Sequence, residues 1–157
     1  MKKPRLLAVA GTVAVAAIAV PTVAASQQGS RPDRTSSVRQ AVAAHIKAVH
    51  DCDASALVDG YSANAKVFFP DGAVVKGRKE LQEVYDNFVK PREQGGYCGM
   101  RIAAVDQVRR GGTVFIKFRV TAPYLAETYF STDGYIIKRG RIVSEISTFD
   151  ASKLKFK

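Results

Sequence analysis

Two imidazoles, His45 and His50, are the side chains of this sequence whose ordinary pKa lies closest to neutrality. His45 shares one face of a helical repeat with apolar residues, and His50 follows that face near its end. An imidazole that titrates near neutral pH can act as a general acid or base where the fold gives it access to a substrate. We assign His50 a structural role, because a histidine near a helix C-terminus interacts favourably with the helix dipole.

The two cysteines, Cys52 and Cys98, are expected to form a disulfide, provided that the chain is exported to an oxidising compartment. Closing a loop of about 46 residues would stabilise the fold by about 4 kcal/mol. A reactive thiol or a metal site is the weaker alternative, because the sequence has no CxxC motif and its histidines do not fall at zinc-finger spacing. We expect no metal ion and no other cofactor.

The first 25 residues are typical of a secretory signal peptide. Lys2, Lys3 and Arg5 precede an apolar run over residues 6–20, and small residues suited to signal peptidase follow, so cleavage is expected near Ala25. The alternative is an uncleaved membrane anchor. This run is short for it, because a helix needs ~20 apolar residues to cross a bilayer. A secreted, extracytoplasmic protein is therefore predicted.

The remaining chain has room for one domain. Residues 26–35 are rich in Gly, Ser, Pro and Gln and are expected to form a disordered leader. The folded domain is predicted over residues 36–152, and residues 153–157 form a basic tail.

Helical periodicity predicts three helices in the first half of this domain. They span residues 38–50, 53–60 and 77–90, and Pro91 ends the third. Residues 62–64 are expected to belong to the connection after the second helix.

The sequence predicts a sheet from a hairpin and from later segments with a period of two. Residues 70–72 form a tight turn between strands at 66–69 and 73–76. Segments rich in β-branched and aromatic residues continue the sheet: 114–120, 126–139 and 141–149. Helices followed by a mostly antiparallel sheet indicate the α+β class.

This order of elements resembles the nuclear transport factor 2-like (NTF2-like) superfamily, which includes ketosteroid isomerases and SnoaL-like polyketide cyclases. The resemblance covers about residues 37–150, and residues 83–87 resemble the family's Glu-x-Tyr-x-Asn motif. It implies a cone of three N-terminal helices packed on a curved, mostly antiparallel β-sheet around an apolar pocket. Residues 44–72 match an isomerase pattern without a gap, through Ala44-His45-Ile46, Asp53, Ala56-Leu57-Val58, Tyr61, Ala65, Val67, Pro70 and Gly72.

The resemblance also implies candidate catalytic residues. His45 takes the place of a hydrogen-bond-donating tyrosine, Tyr85 matches a supporting tyrosine, and Asp133 matches a second acid that an apolar site keeps neutral. Phe69 stands where the isomerases carry their general base. Because a phenyl ring cannot take a proton, steroid isomerisation by that route is not expected. The implied ligand pocket consists of His45, Tyr61, Phe69, Tyr85, Phe88, Phe118 and Asp133.

The polar group of His45, Tyr85 and Asp133 has two interpretations. In the functional one, Asp133 orients His45 and raises its pKa for acid–base work of the isomerase, dehydratase or cyclase type. In the structural one, His45 and Tyr85 hydrogen-bond each other in the core, and Asp133 forms a turn over residues 132–134. We predict a domain that binds a small apolar or amphipathic molecule, with acid–base catalysis as the alternative.

Positive charge is concentrated in the last third of the chain, where residues 101–157 hold 11 basic and 5 acidic side chains. Such a face could dock an anionic envelope, lipid or protein surface, whereas ordinary solubility is the alternative. Nucleic acid is not expected, since no RNP-like or helix-turn-helix pattern accompanies the charge. A homodimer through the sheet is implied by the resemblance alone. The expected basic face consists of Arg109, Arg110, Lys117, Arg119, Lys138, Arg139 and Arg141.

Overall fold

The computed structural model describes residues 34–157, with side chains from residue 37 onward. The predicted signal peptide and most of the predicted leader therefore lie outside the described residues. Within the described part are three α-helices and two short 3-10 helices. The α-helices are α1 (Arg34–Asp51), α2 (Ala54–Asp59) and α3 (Gly77–Phe88), and the 3-10 helices are Arg92–Gln94 and Ala151–Lys153.

The strands of residues 34–157 form one mixed sheet in the order β2-β1-β6-β5-β4-β3. β1 and β6 are parallel, and the other neighbours are antiparallel. The α+β class and the mostly antiparallel sheet are confirmed. The strands are β1 (Tyr61–Phe68), β2 (Val74–Lys76), β3 (Arg101–Arg110), β4 (Thr113–Thr121), β5 (Tyr129–Lys138) and β6 (Arg141–Ile146).

Local sequence explains most element boundaries. The Asp53 side chain caps α2 by accepting a hydrogen bond from the Ala56 amide at 2.9 Å. Gly77 begins α3 with φ of 77°, a value that favours glycine. The predicted boundary of β1 is wrong, because residues 62–64 lie within the strand. Parallel pairing with β6 brackets this stretch, with Tyr61 opposite Ile142 before it and Lys66 opposite Ser144 after it, and the register shifts in between.

The core lies between the inner face of the sheet and the helices. β4 shows the predicted alternation, with its even-numbered residues from Val114 to Val120 buried, and Phe115, Lys117 and Arg119 exposed. From the helical side, Val49 of α1 and Leu81 of α3 are buried in the same core. One sheet face is therefore free to line a site, and the other faces solvent.

A disulfide joins Cys52, just after α1, to Cys98, before β3, with the two Cα atoms 5.4 Å apart. The predicted pairing is confirmed. Nearby, the His50 Nε2 lies 3.0 Å from the Ile102 amide nitrogen, so His50 also ties α1 to β3. These links hold one wall of the core in place.

The last residues pack against the domain. Leu154 is buried, and the Ala126 amide donates to the Lys155 carbonyl at 2.8 Å. The segment predicted as a basic tail thus lies along residues 124–126.

No helix within residues 34–157 is both long enough and apolar enough to cross a membrane.

Candidate functional site

A cavity of about 90 Å³ lies between the helices and the inner face of the sheet. Most of its wall is apolar and comes from α1, α3, β3, β4 and the segments after β1 and β6. A few polar groups lie together on one side, mainly from β5 and β6. The apolar lining is Val49, Phe69, Val84, Phe88, Met100, Ile102, Phe118, Val120 and Phe149, and the polar lining is His45, Tyr85, Ser131, Asp133, Glu145 and Ser147.

Two carboxyl groups, Asp133 and Glu145, are the most unusual members of this lining. Asp133 is 8% exposed and Glu145 is 4% exposed. Tyr135 pairs with Glu145 across β5 and β6, and Asp133 lies two residues before Tyr135 on the same face. Both carboxyls therefore point into the cone. Neither has a salt bridge with a described Lys or Arg, although buried acids are usually paired.

Glu145 is held by a pair of tyrosines. The Tyr61 hydroxyl donates to Glu145 Oε2, and the Tyr85 hydroxyl lies 2.5 Å from that of Tyr61. Burial raises the pKa of both tyrosines well above their ordinary value, so they remain protonated donors. The chain Tyr85–Tyr61–Glu145 thus links α3 to β6 through hydroxyl groups alone.

Asp133 is held mainly by the backbone that follows β6. Its Oδ1 accepts a hydrogen bond from the Thr148 amide at 2.9 Å and a longer one from the Ser147 hydroxyl at 3.4 Å. Its Oδ2 accepts from the Tyr135 hydroxyl at 3.4 Å. The predicted turn over residues 132–134 is wrong, because Asp133 lies inside β5, opposite Ile116.

The two acids hold protons with different strength. Burial, and next the charge of Asp133, raise the pKa of Glu145 from 4.5 to about 8. Burial also raises the pKa of Asp133, but its hydrogen bonds from Thr148, Ser147 and Tyr135 oppose this rise. Like charges so close do not both ionise readily. We therefore expect Glu145 to keep its proton at neutral pH, while the hydrogen bonds to Asp133 favour the charged form of that carboxyl.

His45 lies on the helical side of the cavity as a neutral imidazole. Its Nδ1 is buried and has no hydrogen-bond partner among the described residues. The ring packs edge-on against Tyr61 and Tyr135, with centroids 6.2 and 5.7 Å away. Burial lowers the pKa of His45 from 6.5 to about 4. The expected rise in this pKa is therefore wrong, and so is the expected hydrogen bond with Tyr85, which contacts Tyr61 instead.

The structure brings most of the predicted pocket residues together. His45, Phe69, Tyr85, Phe88, Phe118 and Asp133 line the cavity. Tyr61 is fully buried and reaches it only through its hydrogen bonds to Tyr85 and Glu145.

Sequence reasoning missed Glu145 and Tyr135. The sequence carries one indication of the first, an acid inside the apolar segment 141–149 that no turn residue explains. Strict alternation from Ile142 would expose Glu145, but the register shifts between Ile136 and Ile137, which buries it.

The residues predicted as a basic face are all exposed. Lys117 and Arg119 lie on the outer face of β4, where the Lys117 ammonium is 5.3 Å from the Phe130 ring centroid. The other five lie at the β3–β4 and β5–β6 turns or beside them. Among these, Arg141 donates to the Asp59 carbonyl.

Within residues 34–157, no three His, Cys, Asp or Glu side chains are grouped so that they could hold a metal ion.

Solved structures with a similar fold are found at low sequence identity. An epoxide hydrolase/cyclase-like enzyme of pyran ring formation in the polyether salinomycin has a TM-score of 0.62 and 15% identity, covering 78% of this chain and 98% of its own. An LEH-like epoxide hydrolase of Mycobacterium tuberculosis has a TM-score of 0.58 and 14% identity, covering 76% and 86%. An NTF2-like protein of unknown function from Cytophaga hutchinsonii has a TM-score of 0.57 and 15% identity, covering 73% and 91%.

At this identity the similarity shows the fold alone. No family model matches the sequence, and no curated protein matches it.

Proposed function

The chain has the NTF2-like fold, and from this premise we propose that it is a secreted domain that binds a small, uncharged, apolar or amphipathic molecule in its cone. The observation that carries the proposal is the carboxyl pair of Asp133 and Glu145, buried in an apolar cavity without a basic partner. Burying a carboxyl group without an opposite charge is costly even where hydrogen bonds hold it, as they do here. A ligand with a polar end would supply hydrogen bonds there that the protein does not make.

Each polar group has a defined capacity toward such a ligand. Protonated Glu145 can donate to an oxygen atom of the ligand, and ionised Asp133 can accept from a hydroxyl group. The free Nδ1 of His45 offers one more donor or acceptor. The surrounding phenyl rings and aliphatic side chains would enclose the apolar part, as is usual for small-molecule sites.

Two observations support secretion. The N-terminal residues have the pattern of a signal peptide, and the Cys52–Cys98 disulfide suits an oxidising compartment.

A pair of leucine variants on β5 tests the binding proposal. Ser131 lines the cavity, whereas its neighbour Thr132 is exposed on the other face of the strand. 1-Butanol, added in the millimolar range, should shift the amide NMR signals of cavity residues in the wild-type protein and in Thr132→Leu. Ser131→Leu should abolish these shifts, because the larger side chain fills the cavity. Equal shifts in both variants would contradict the proposal.

The same pair of acids favours a second function, acid–base catalysis. Two carboxyls whose surroundings separate their proton affinities can act as base and acid at one pH. Asp133 would take a proton from the carbon next to a carbonyl group, while Glu145 donates to the carbonyl oxygen. In an unsaturated ketone, delivery of the carbon proton from Asp133 to a different carbon, with return of the oxygen proton to Glu145, would complete an isomerisation.

Deuterium exchange of a small ketone such as cyclohexanone in D₂O tests this catalytic function. The exchange rate should fall to background in Asp133→Asn and should decline in the wild-type protein as the pH rises through about 8, where Glu145 loses its proton. Wild-type exchange that does not exceed the buffer rate would exclude it.

A further inference from the structure

An open groove of about 670 Å³ lies on the surface beside the cavity. One side is formed by the turn between β1 and β2, with Pro70 and Ala73. The other side is formed by the segment after β6, with Ala151 and Ser152. The groove therefore lies between two short segments, and Val84 of α3 also lines it.

Phe69, Val84 and Phe149 line both the groove and the cavity. These three side chains therefore lie at the boundary between the two spaces. A molecule that extends from the groove to the carboxyl pair across this boundary would contact both phenyl rings.

The sizes of the two spaces are unequal. The cavity, at about 90 Å³, is well below the roughly 300–1,000 Å³ that small-molecule sites usually have, whereas the groove, at about 670 Å³, lies within that range. A ligand that is larger than the cavity and places a polar end at the carboxyl pair would therefore leave the rest of its length in the groove.

Packing holds one side of this boundary, the Phe149 ring, in place. The ring of Phe149 packs edge-on against three aromatic rings, those of Phe88, Tyr97 and Tyr129, with centroids 5.6 to 5.9 Å away. A ring with neighbours on so many sides cannot swing aside without losing these contacts. This arrangement favours a narrow chain over a broad fused-ring system.

Two acids line the groove, and both are held by hydrogen bonds within their own turns. Asp71 accepts from the Ala73 amide at 3.0 Å, and Asp150 accepts from the Ser152 amide at 3.0 Å and contacts the Lys153 ammonium at 3.4 Å. Both carboxylates are thus held within their own turns. The rest of the groove lining, with Pro70, Ala73 and Ala151, offers apolar surface to a chain.

From the shared lining of groove and cavity we propose a ligand class, an inference that rests on the proposed function. The ligand is an elongated, unbranched amphipath with an uncharged hydroxyl or carbonyl head. The head lies at Asp133 and Glu145, and the chain passes between Phe69 and Phe149 into the groove. An anionic head is disfavoured, because it would lie beside the negative charge that the two acids share.

A series of 1-alkanols from butanol to decanol, measured by calorimetry and amide NMR, tests this assignment. Each methylene group that enters the groove should strengthen binding by about fourfold, the equivalent of ~0.8 kcal/mol. Ala73→Trp, which narrows the groove alone, should remove this increase for the longer alcohols and leave butanol binding unchanged. Ala44→Trp, at an exposed position on α1 away from the groove, is the matched control and should keep the wild-type series. Octanoate should bind at least tenfold more weakly than octanol.

The outcomes separate the two proposals. If butanol binds but affinity does not rise with length, or rises equally in Ala73→Trp, the groove assignment is overturned and the cavity proposal stands. If octanoate binds as well as octanol, the uncharged head is overturned. If no alcohol binds, both proposals fail.

Discussion

Replacing Glu145 by glutamine should stabilise the protein at neutral and alkaline pH. The glutamine amide keeps a carbonyl oxygen that can accept from the Tyr61 hydroxyl, and it has no proton to lose. In the wild-type protein, unfolding releases Glu145 from a site where burial raises its pKa from 4.5 to about 8. Between these two pH values the Glu145 carboxyl is ionised in the unfolded protein and protonated in the folded one. This difference favours the unfolded state.

The sign and size follow from linkage. Because the folded pKa is the higher one, the wild-type protein has its full stability from this group below pH 4.5 and loses it as the pH rises to about 8. At about 1.4 kcal/mol per pKa unit, the total loss is about 5 kcal/mol, and about 3 kcal/mol is already lost at pH 7. Glu145→Gln avoids this loss.

Urea unfolding of the oxidised protein between pH 4.5 and pH 9 measures the effect. The free energy of unfolding of Glu145→Gln should exceed that of the wild type by an amount that grows with pH and becomes constant above about pH 8. Glu83→Gln makes the same change at an exposed position of α3 and should follow the wild-type curve. A difference that does not change with pH, or a Glu145→Gln protein that is less stable at pH 8, would refute the reasoning.

Three further substitutions test the surroundings of the site by urea unfolding. Tyr61→Phe should lower the free energy of unfolding by about 1–3 kcal/mol, because it leaves the buried Tyr85 hydroxyl without its partner at 2.5 Å; an unchanged stability would contradict the hydrogen-bonded chain. Replacing both cysteines by alanine should cost about 4 kcal/mol, since the disulfide closes a loop of 46 residues, and the native protein should titrate no free thiol. Gly96→Ala should cost at least about 2 kcal/mol, because its Cβ would lie 2.1 Å from the Lys90 carbonyl oxygen; a wild-type midpoint would show that this loop moves freely.

The sequence predicted the elements better than it predicted the site. Helical and alternating patterns depend on burial along single segments, so α2, α3 and β4 were located within a few residues. β1 was placed too short, because its first residue, Tyr61, pairs with Ile142 of β6, a partner some 80 positions later in the chain. Local propensity carries no information on such a pairing.

Asp133 shows why the predicted turn over residues 132–134 was wrong. Thr-Asp-Gly is typical of turns, yet Gly134 lies inside β5, where the Phe115 ring covers it and a Cβ would lie 2.7 Å from that ring. The glycine therefore makes room for a side chain of the neighbouring strand. Only the tertiary structure reveals this use.

Glu145 and His45 show why the chemistry of the site could not be predicted from the sequence. The role of Glu145 depends on a single register shift in β6, and the proton state of His45 depends on the burial of its ring. The resemblance singled out His45 and Asp133 as candidates, but it could not show that Asp133 shares its cavity with a second acid, Glu145.

A crystal structure of the protein with 1-octanol tests the central claim most directly. The account predicts that the alcohol oxygen lies within hydrogen-bond distance of Asp133 or Glu145, with the chain running past Phe69 and Phe149 into the groove. An alcohol bound elsewhere, or a hydroxyl group that points out of the cavity while the carboxyl pair has no ligand, would contradict it.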